Sequence, residues 1–145
     1  MCGIIGQINF DFSPVSPVIL KKMTDVIKHR GPDGEGHWTE GNIGFGHRRL
    51  SIIDLSPAAH QPMISADHRY VLTYNGEIYN FRELRTELEA KGYWFRSQTD
   101  SEVVLYSLAE WGTDALLKFN GMFALAFWDR KEKNLLLARD RYGIK

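Results

Sequence analysis

The sequence predicts an α+β protein in which antiparallel strand pairs are combined with separate helices. Residues 37–40 and 42–48 flank Gly41 and predict one hairpin, and the apolar run 122–128 returns as residues 135–139 after a charged turn. Several other segments place apolar residues at helical spacing behind a residue that can cap a helix. In a chain of 145 residues this combination is typical of one α+β domain with its own core.

The first quarter of the chain contains a strand, a helix and a loop. Residues 3–10 predict a strand. Ser16 and Pro17 suit the N-cap and first turn of a helix that we expect to continue to about residue 29. Residues 29–36 contain three glycines and a proline and predict a loop, without the lysine-serine pair of a phosphate-binding loop.

The middle of the chain contains a strand whose end is open to two interpretations. Residues 70–74 predict a strand that runs into Asn75-Gly76. Between two apolar runs, Asn-Gly is a strong signal for the tight turn of a hairpin. The other interpretation is that a side-chain amide and a backbone N–H lie at a strand end, where both could point at a developing oxyanion.

The remaining elements are mainly helical. Asn80 with Glu83 predicts a capping-box start for a helix that ends at Gly92. Residues 93–96 predict a short strand. Thr99 or Asp100 suits the N-cap of the next helix, and residues 113–120 predict a shorter one.

Composition excludes several classes of function. Eighteen basic and eighteen acidic residues give no electrostatic argument for a nucleic-acid or anionic-membrane partner. No apolar segment is long enough to span a bilayer, and the start of the chain lacks the basic flank of a signal peptide. One cysteine excludes an internal disulfide and suits a reducing compartment, so we expect a cytoplasmic protein.

The single cysteine, Cys2, is the candidate nucleophile. If Met1 is removed, Cys2 carries both a thiol and a free α-amine, which titrates at about 7.7–8.0 in peptides and can act as the base. The alternative is a small apolar residue that only begins a strand. Five histidines invite a metal interpretation, but none lies at i, i+4 on a helix beside a third ligand, so no metal site is expected.

The other polar candidates suit an amino-acid substrate with a side-chain amide. Arg49 offers a guanidinium for a carboxylate, whereas Glu77 and Asp100 offer carboxylates for an ammonium group. A thiol attacking the amide of glutamine or asparagine would form a thioester and release ammonia.

Seven motifs in order carry a resemblance to one family. The motifs are residues 1–6 (MCGIIG), 30–34 (RGPDG), 49–54 (RLSIID), 61–63 (QPM), 74–80 (YNGEIYN), 99–102 (TDSE) and 138–145 (ARDRYGIK). With these motifs the chain resembles, over its whole length, the N-terminal glutaminase domain of glutamine-hydrolysing asparagine synthetases, which are class II glutamine amidotransferases.

This resemblance implies a fold and a domain organisation. The fold is an N-terminal-nucleophile hydrolase of four layers, αββα, with two stacked antiparallel sheets. Residues 1–145 then form one amidotransferase domain, incomplete at its C-terminus because the family continues with further strands and an ATP-dependent synthetase domain. The implied partners are L-glutamine, that synthetase domain and, in the full-length form, a second copy. ATP and magnesium are expected only in the synthetase domain, and no cofactor in this chain.

The resemblance also implies residue roles. Met1 is removed and Cys2 attacks glutamine, while Asn75 and the Gly76 amide form the oxyanion hole.

The resemblance further implies which residues bind the substrate. Arg49 holds the α-carboxylate, Glu77 and Asp100 hold the α-ammonium, and Leu50 and Ile52 shape the pocket floor.

Two alternatives remain at this point. The ammonia acceptor could be something other than aspartate, because the missing domain selects it. If Met1 were retained, the chain would instead be a non-catalytic scaffold domain.

Overall fold

The computed structural model describes residues 2–51 and 57–145, and these residues form four layers: a helix, two stacked sheets and a second layer of helices. Both sheets are antiparallel, as predicted. In chain order the elements are β1 (Gly3–Ile8), α1 (Pro17–Val26), β2 (Gly34–Glu40), β3 (Ile43–Arg49), β4 (Met63–Ile64), β5 (Tyr70–Ile78), α2 (Phe81–Ala90), α3 (Asp100–Trp111), α4 (Ala115–Lys118), β6 (Gly121–Asp129) and β7 (Asn134–Arg139).

The three-stranded sheet has the order β1-β3-β2 and carries α1 on its outer face. Gly3 of β1 lies opposite Arg48 of β3, so the residue before β1 lies beside the last residue of β3. Small residues on the outer face allow α1 to pack close to the sheet. A Cβ atom added at Gly46 would lie 2.5 Å from the Thr24 hydroxyl of α1. This sheet therefore fixes the start of the chain against the end of β3.

The four-stranded sheet has the order β4-β5-β6-β7 and carries α2 and α3 on its outer face. Strands β5 and β6 pair along nine residues, from Tyr70 opposite Asp129 to Ile78 opposite Gly121. Strand β4 is only two residues long and pairs with Val71 and Leu72. Beyond Leu72, no strand among the described residues pairs with this side of β5, and this open side becomes one wall of the site described below.

Two apolar cores hold the layers together. The core between the sheets consists of buried side chains from β3, β5 and β6, namely Ile43, Phe45, Val71, Ala126 and Trp128. The larger core lies between the four-stranded sheet and the helices, and includes Leu72, Tyr74, Ile78, Leu84, Leu88, Val104, Leu105, Leu108 and Phe123. Side chains of a strand alternate between faces. Odd-numbered residues of β5 therefore face the three-stranded sheet, and even-numbered residues face α2 and α3.

Several predicted element bounds are corrected by the structure. The first strand ends at Ile8 and not at residue 10, because the backbone turns at Asn9, whose carbonyl accepts from the Phe12 N–H at 3.1 Å. The first helix ends at Val26, three residues early, and is followed by a separate 3-10 turn at Lys28–Arg30. The helix predicted over 113–120 is only α4, preceded by a 3-10 turn at Gly112–Asp114.

The strand predicted over residues 93–96 is wrong. Its backbone groups are used elsewhere: the Tyr93 N–H donates to the Leu88 carbonyl, and the Arg96 and Ser97 N–H groups donate to the buried Glu102 carboxylate. Because these N–H groups already have acceptors elsewhere, they are not available to a sheet ladder.

The capping box predicted at Asn80 is also wrong, although Asn80 does precede α2. Its side chain makes no cap bond to the helix. Instead its amide donates to the Lys118 carbonyl and accepts from the Asn120 N–H, at 2.9 and 3.0 Å. Asn80 therefore ties α2 to the segment before β6.

In the part of the chain that the structure describes, no helix is both long and apolar enough to cross a bilayer.

Candidate active site

One cleft between the two sheets brings together most of the residues singled out in the sequence. Its cavity volume is about 100 Å³. Seven of the eight predicted site residues line it, namely Cys2, Arg49, Leu50, Asn75, Gly76, Glu77 and Asp100. The eighth, Ile52, lies outside the described residues. The cleft is also lined by His47, Gln61, Tyr74 and Lys145.

Cys2 is held by the backbone that follows β3. The Leu50 N–H donates to the Cys2 sulfur at 3.3 Å, and the sulfur lies 3.6 Å from the Leu50 carbonyl oxygen. The Arg30 side chain donates to the Cys2 carbonyl at 3.3 Å. Cys2 is only half-buried, so its thiol is open to the cleft. These contacts fix the thiol without burying it.

The segment that carries Arg49 and Leu50 is anchored from the preceding loop. The Asp33 N–H donates to the Arg49 carbonyl at 3.0 Å, and the Asp33 carboxylate accepts from the Ser51 N–H at 2.8 Å. Gly31 lies directly against β3, where an added Cβ would be 2.4 Å from the Arg48 carbonyl carbon. A glycine is therefore required at 31. Arg49 is 7% exposed and lines the cleft.

The second wall of the cleft is the open side of β5. The Tyr74 N–H donates to Gln61 Oε1 at 2.6 Å, and the Ile78 N–H donates to Asp100 Oδ2 at 3.0 Å, both away from β6. Backbone groups of residues two apart point to the same side of a strand. The Gly76 N–H, midway between them, therefore points to this open side and toward the cleft.

The hairpin turn considered at Asn75-Gly76 is wrong, because β5 runs through both residues to Ile78. Gly76 is needed for a different reason. A Cβ added there would lie 2.4 Å from the Met122 carbonyl oxygen and 2.8 Å from the Phe123 Cα atom. Only glycine allows β5 and β6 to stay paired at this point.

Asn75 and Glu77 project from the face of β5 that meets the three-stranded sheet. Thr73 lies on the same face, and its hydroxyl donates to the Gly46 carbonyl of β3 at 3.4 Å. This bond shows that the face is directed toward the three-stranded sheet. This is the side on which Cys2 and Arg49 lie. Glu77 is exposed, whereas Asn75 is half-buried. An amide and a carboxylate thus lie on the side of the cleft that contains the thiol.

Asp100 enters the cleft as the first residue of α3. Thr99 caps this helix by accepting from the Glu102 N–H at 3.3 Å, as predicted. Burial raises the pKa of the Asp100 carboxyl above its ordinary value, and hydrogen bonds from Tyr74 and from the Ile78 N–H partly offset that rise. The N-terminus of α3 favours the ionised form of this carboxyl, and a carboxylate can pair with a cationic group.

His47 is neutral at physiological pH. Burial lowers the pKa of its imidazole to about 4. Its Nε2 atom lies 3.2 Å from the Tyr74 carbonyl, which can only accept, so Nε2 carries the proton. His47 therefore joins β3 to β5 as a hydrogen-bond donor. In the described ranges, 2–51 and 57–145, no group of three His, Cys, Asp or Glu side chains could hold a metal ion.

Sequence reasoning missed the site roles of Gln61 and Tyr74. Gln61 is buried and bridges the Tyr74 N–H to the Ser101 hydroxyl, with Nε2 3.2 Å from Oγ. Both residues lie within motifs that are quoted above, but a bond between distant segments leaves no local pattern. The position of His47 in the cleft could have been predicted from the sequence. His47 lies two residues before Arg49 on β3, so both side chains are on the same face of the strand.

Comparison with known proteins agrees with this geometry. The family model described as a glutamine amidotransferase domain matches residues 1–145. The chain is 43% identical over 150 residues to asparagine synthetase (glutamine-hydrolyzing) 1 of Bacillus subtilis (strain 168), covering 100% of this chain and 23% of that protein. It is 42% identical over 148 residues to asparagine synthetase (glutamine-hydrolyzing) 3 of the same organism, covering 100% of this chain and 24% of that protein. The chain thus spans about a quarter of the length of these relatives.

A solved structure supports the fold. Glutamine phosphoribosylpyrophosphate amidotransferase of B. subtilis superposes with a TM-score of 0.81 at 20% identity, over 99% of this chain and 38% of that chain. The predicted fold of an N-terminal-nucleophile hydrolase, with its αββα layers, is confirmed. Together with the match of the family model over residues 1–145, this shows that the chain belongs to the glutamine amidotransferase domain family.

Proposed function

We propose that this domain hydrolyses L-glutamine to glutamate and ammonia with Cys2 as its nucleophile. The observation that carries the proposal is that the Cys2 thiol and the open donor side of β5 line the same cleft. A nucleophile facing a donor that is fixed in a strand is the arrangement that acyl transfer from an amide requires.

The proposed reaction starts when Met1 has been removed. The α-amine of Cys2 takes the thiol proton, and the sulfur attacks the side-chain amide carbon of glutamine. The carbonyl electron pair moves to oxygen, where the Asn75 amide and the Gly76 N–H stabilise the charge. The proton passes to the amide nitrogen, the C–N bond breaks, and ammonia leaves a thioester. Water then attacks the thioester and releases glutamate, and the thiol is restored.

The remaining residues of the cleft would hold the substrate backbone. Arg49 would bind the α-carboxylate through its guanidinium fork, and Glu77 and Asp100 would bind the α-ammonium. Leu50 would shape the floor next to Cys2, to which its N–H donates. We propose the same role for Ile52.

The use of the ammonia is proposed from the relatives. Their names describe glutamine-hydrolysing asparagine synthetases. We propose that the ammonia is used by a C-terminal synthetase domain that makes asparagine with ATP and Mg²⁺, in a cytoplasmic protein whose full-length form pairs with a second copy. Glutamine hydrolysis itself needs no cofactor, because the thiol and α-amine supply nucleophile and base.

Kinetics with a binding-site variant test the proposed substrate. We expect the wild-type chain to release glutamate and ammonia in equal amounts from L-glutamine. Arg49→Ala should raise KM for glutamine by about ten- to a hundredfold, because a charge-assisted bond to the α-carboxylate is lost, with a smaller change in kcat. Initial rates of glutamate formation measure both constants.

The control is Arg82→Ala, which removes an arginine from the exposed side of α2. This variant should behave as wild type. An unchanged KM in Arg49→Ala would contradict the role of Arg49, and no glutamate release by the wild-type chain would contradict the proposed function.

A further inference from the structure

Tyr74 makes a contact that the reaction described above does not use. Its side chain is 2% exposed and lies on the helix-facing side of β5. The hydroxyl donates to Asp100 Oδ2 at 2.7 Å, and the same oxygen accepts the Ile78 N–H at 3.0 Å. Two donors from one strand thus converge on a single oxygen of the carboxylate at the start of α3.

The position of Tyr74 is fixed through its own backbone. Its N–H donates to Gln61 and its carbonyl accepts from His47, so both of its main-chain groups are bound by side chains. Its ring packs in the core between the four-stranded sheet and the helices. A hydroxyl on so constrained a residue is preorganised, and it directs the carboxylate without a further loss of side-chain freedom.

The surroundings of the pair keep the Tyr74 hydroxyl protonated, so that it acts as the donor to the carboxylate. Burial and the nearby Asp100 charge raise the pKa of Tyr74 well above 10, so the phenol keeps its proton. Burial raises the pKa of Asp100, and the Tyr74 hydrogen bond opposes that rise. The other titratable or charged groups of the cleft are Cys2, His47, Arg49, Glu77 and Lys145.

We propose that Tyr74 is a positioning residue that orients the Asp100 carboxylate toward the α-ammonium group of the substrate. This inference rests on the proposed function, in which Asp100 binds that group. Tyr74 does not contact the reacting amide in this account. It acts through Asp100, and so its removal should weaken recognition of one end of the substrate and leave the chemistry at the other end unchanged.

The test compares three variants on two substrates. Tyr74→Phe removes only the hydroxyl, and Asp100→Asn removes the proposed ammonium ligand. Tyr106→Phe is the matched control, because it removes a buried hydroxyl from the same core, 3.4 Å from the Ala66 N–H and away from the cleft. The substrates are L-glutamine and glutaramate, which is glutamine without its α-amino group. Glutamate or glutarate formation is measured from pH 5 to pH 9.

We expect Tyr74→Phe to raise KM for glutamine about tenfold with kcat within about twofold, as for loss of a hydrogen bond to a charged group. Rates with glutaramate should stay within about twofold of wild type, because there is no ammonium to recognise. The acid limb of kcat/KM for glutamine should move to higher pH, since Asp100 without this donor binds its proton more readily. Tyr106→Phe should change none of these quantities.

Each other outcome has a distinct meaning. If Tyr74→Phe matches Tyr106→Phe, or weakens both substrates equally, the positioning role is overturned while the proposed function stands. If Asp100→Asn leaves the preference for glutamine over glutaramate unchanged, the assignment of Asp100 to the ammonium group is wrong, and the inference about Tyr74 is wrong with it.

Discussion

Replacing Cys2 with alanine is expected to lower kcat for glutamine hydrolysis by at least about a thousandfold, because no other group in the cleft can form the thioester. The thiol lies at the head of β1 and its sulfur contacts only the Leu50 backbone among the described hydrogen bonds. Removing the half-buried sulfur therefore costs little folding stability. Initial rates of glutamate release and a thermal unfolding curve measure the two effects.

Cys2→Ser is the matched comparison for this variant. It keeps the shape of the side chain and an atom that can accept the Leu50 N–H, but a hydroxyl is a far weaker nucleophile than a thiol. We expect it to unfold at the wild-type temperature with a residual activity far below wild type. Normal glutamate release in Cys2→Ala would remove Cys2 from the mechanism.

Asn75→Ala is expected to lower kcat by about a hundred- to a thousandfold with KM changed only a few fold. Its amide is proposed to meet charge that develops only after the sulfur attacks, and such donors act on the transition state. The Gly76 N–H remains in this variant, because the pairing of β5 with β6 holds the backbone that carries it. Some stabilisation of the oxyanion is therefore retained. Steady-state kinetics separate kcat from KM.

Two further variants sharpen this result. Asn75→Asp keeps the size of the side chain but replaces a donor with a negative charge, so its kcat should fall at least as far as that of Asn75→Ala. Asn42→Ala removes an amide that donates to the Asn9 carbonyl at 2.9 Å, remote from the cleft, and should leave both constants unchanged. A fall confined to KM in Asn75→Ala would place Asn75 in substrate binding and contradict the oxyanion role.

The elements that could be predicted from sequence are those set by local chemistry. The hairpins around Gly41 and residues 129–133 were recoverable because turn residues separate apolar runs. Ser16 and Thr99 cap α1 and α3 as expected, since a hydroxyl before a helix has a donor within three residues. The predicted site residues in the described ranges share one cleft, but Ile52 and all the proposed roles remain predictions.

The features that could not be predicted depend on contacts between distant segments. Asn75-Gly76 is a dipeptide typical of tight turns. In the structure both residues lie inside β5, and β6 approaches Gly76 closely. Residues 93–96 look like a strand, yet the Tyr93 N–H donates to the Leu88 carbonyl and the Arg96 N–H to the Glu102 carboxylate. The bond from Tyr74 to Asp100 joins residues 26 apart in sequence, and no periodicity in either segment reports it.

The central claim is that Cys2, freed of Met1, is the nucleophile of a glutamine-binding cleft. Its most direct test is the intact mass of the chain before and after reaction with 6-diazo-5-oxo-L-norleucine, an electrophile shaped like glutamine. Before the reaction, we expect the mass of the full sequence less one methionine. After it, we expect a single adduct, which peptide mapping locates on Cys2. Excess L-glutamine should prevent this adduct. A chain that keeps Met1 and forms no adduct, or an adduct on another residue, would contradict the account.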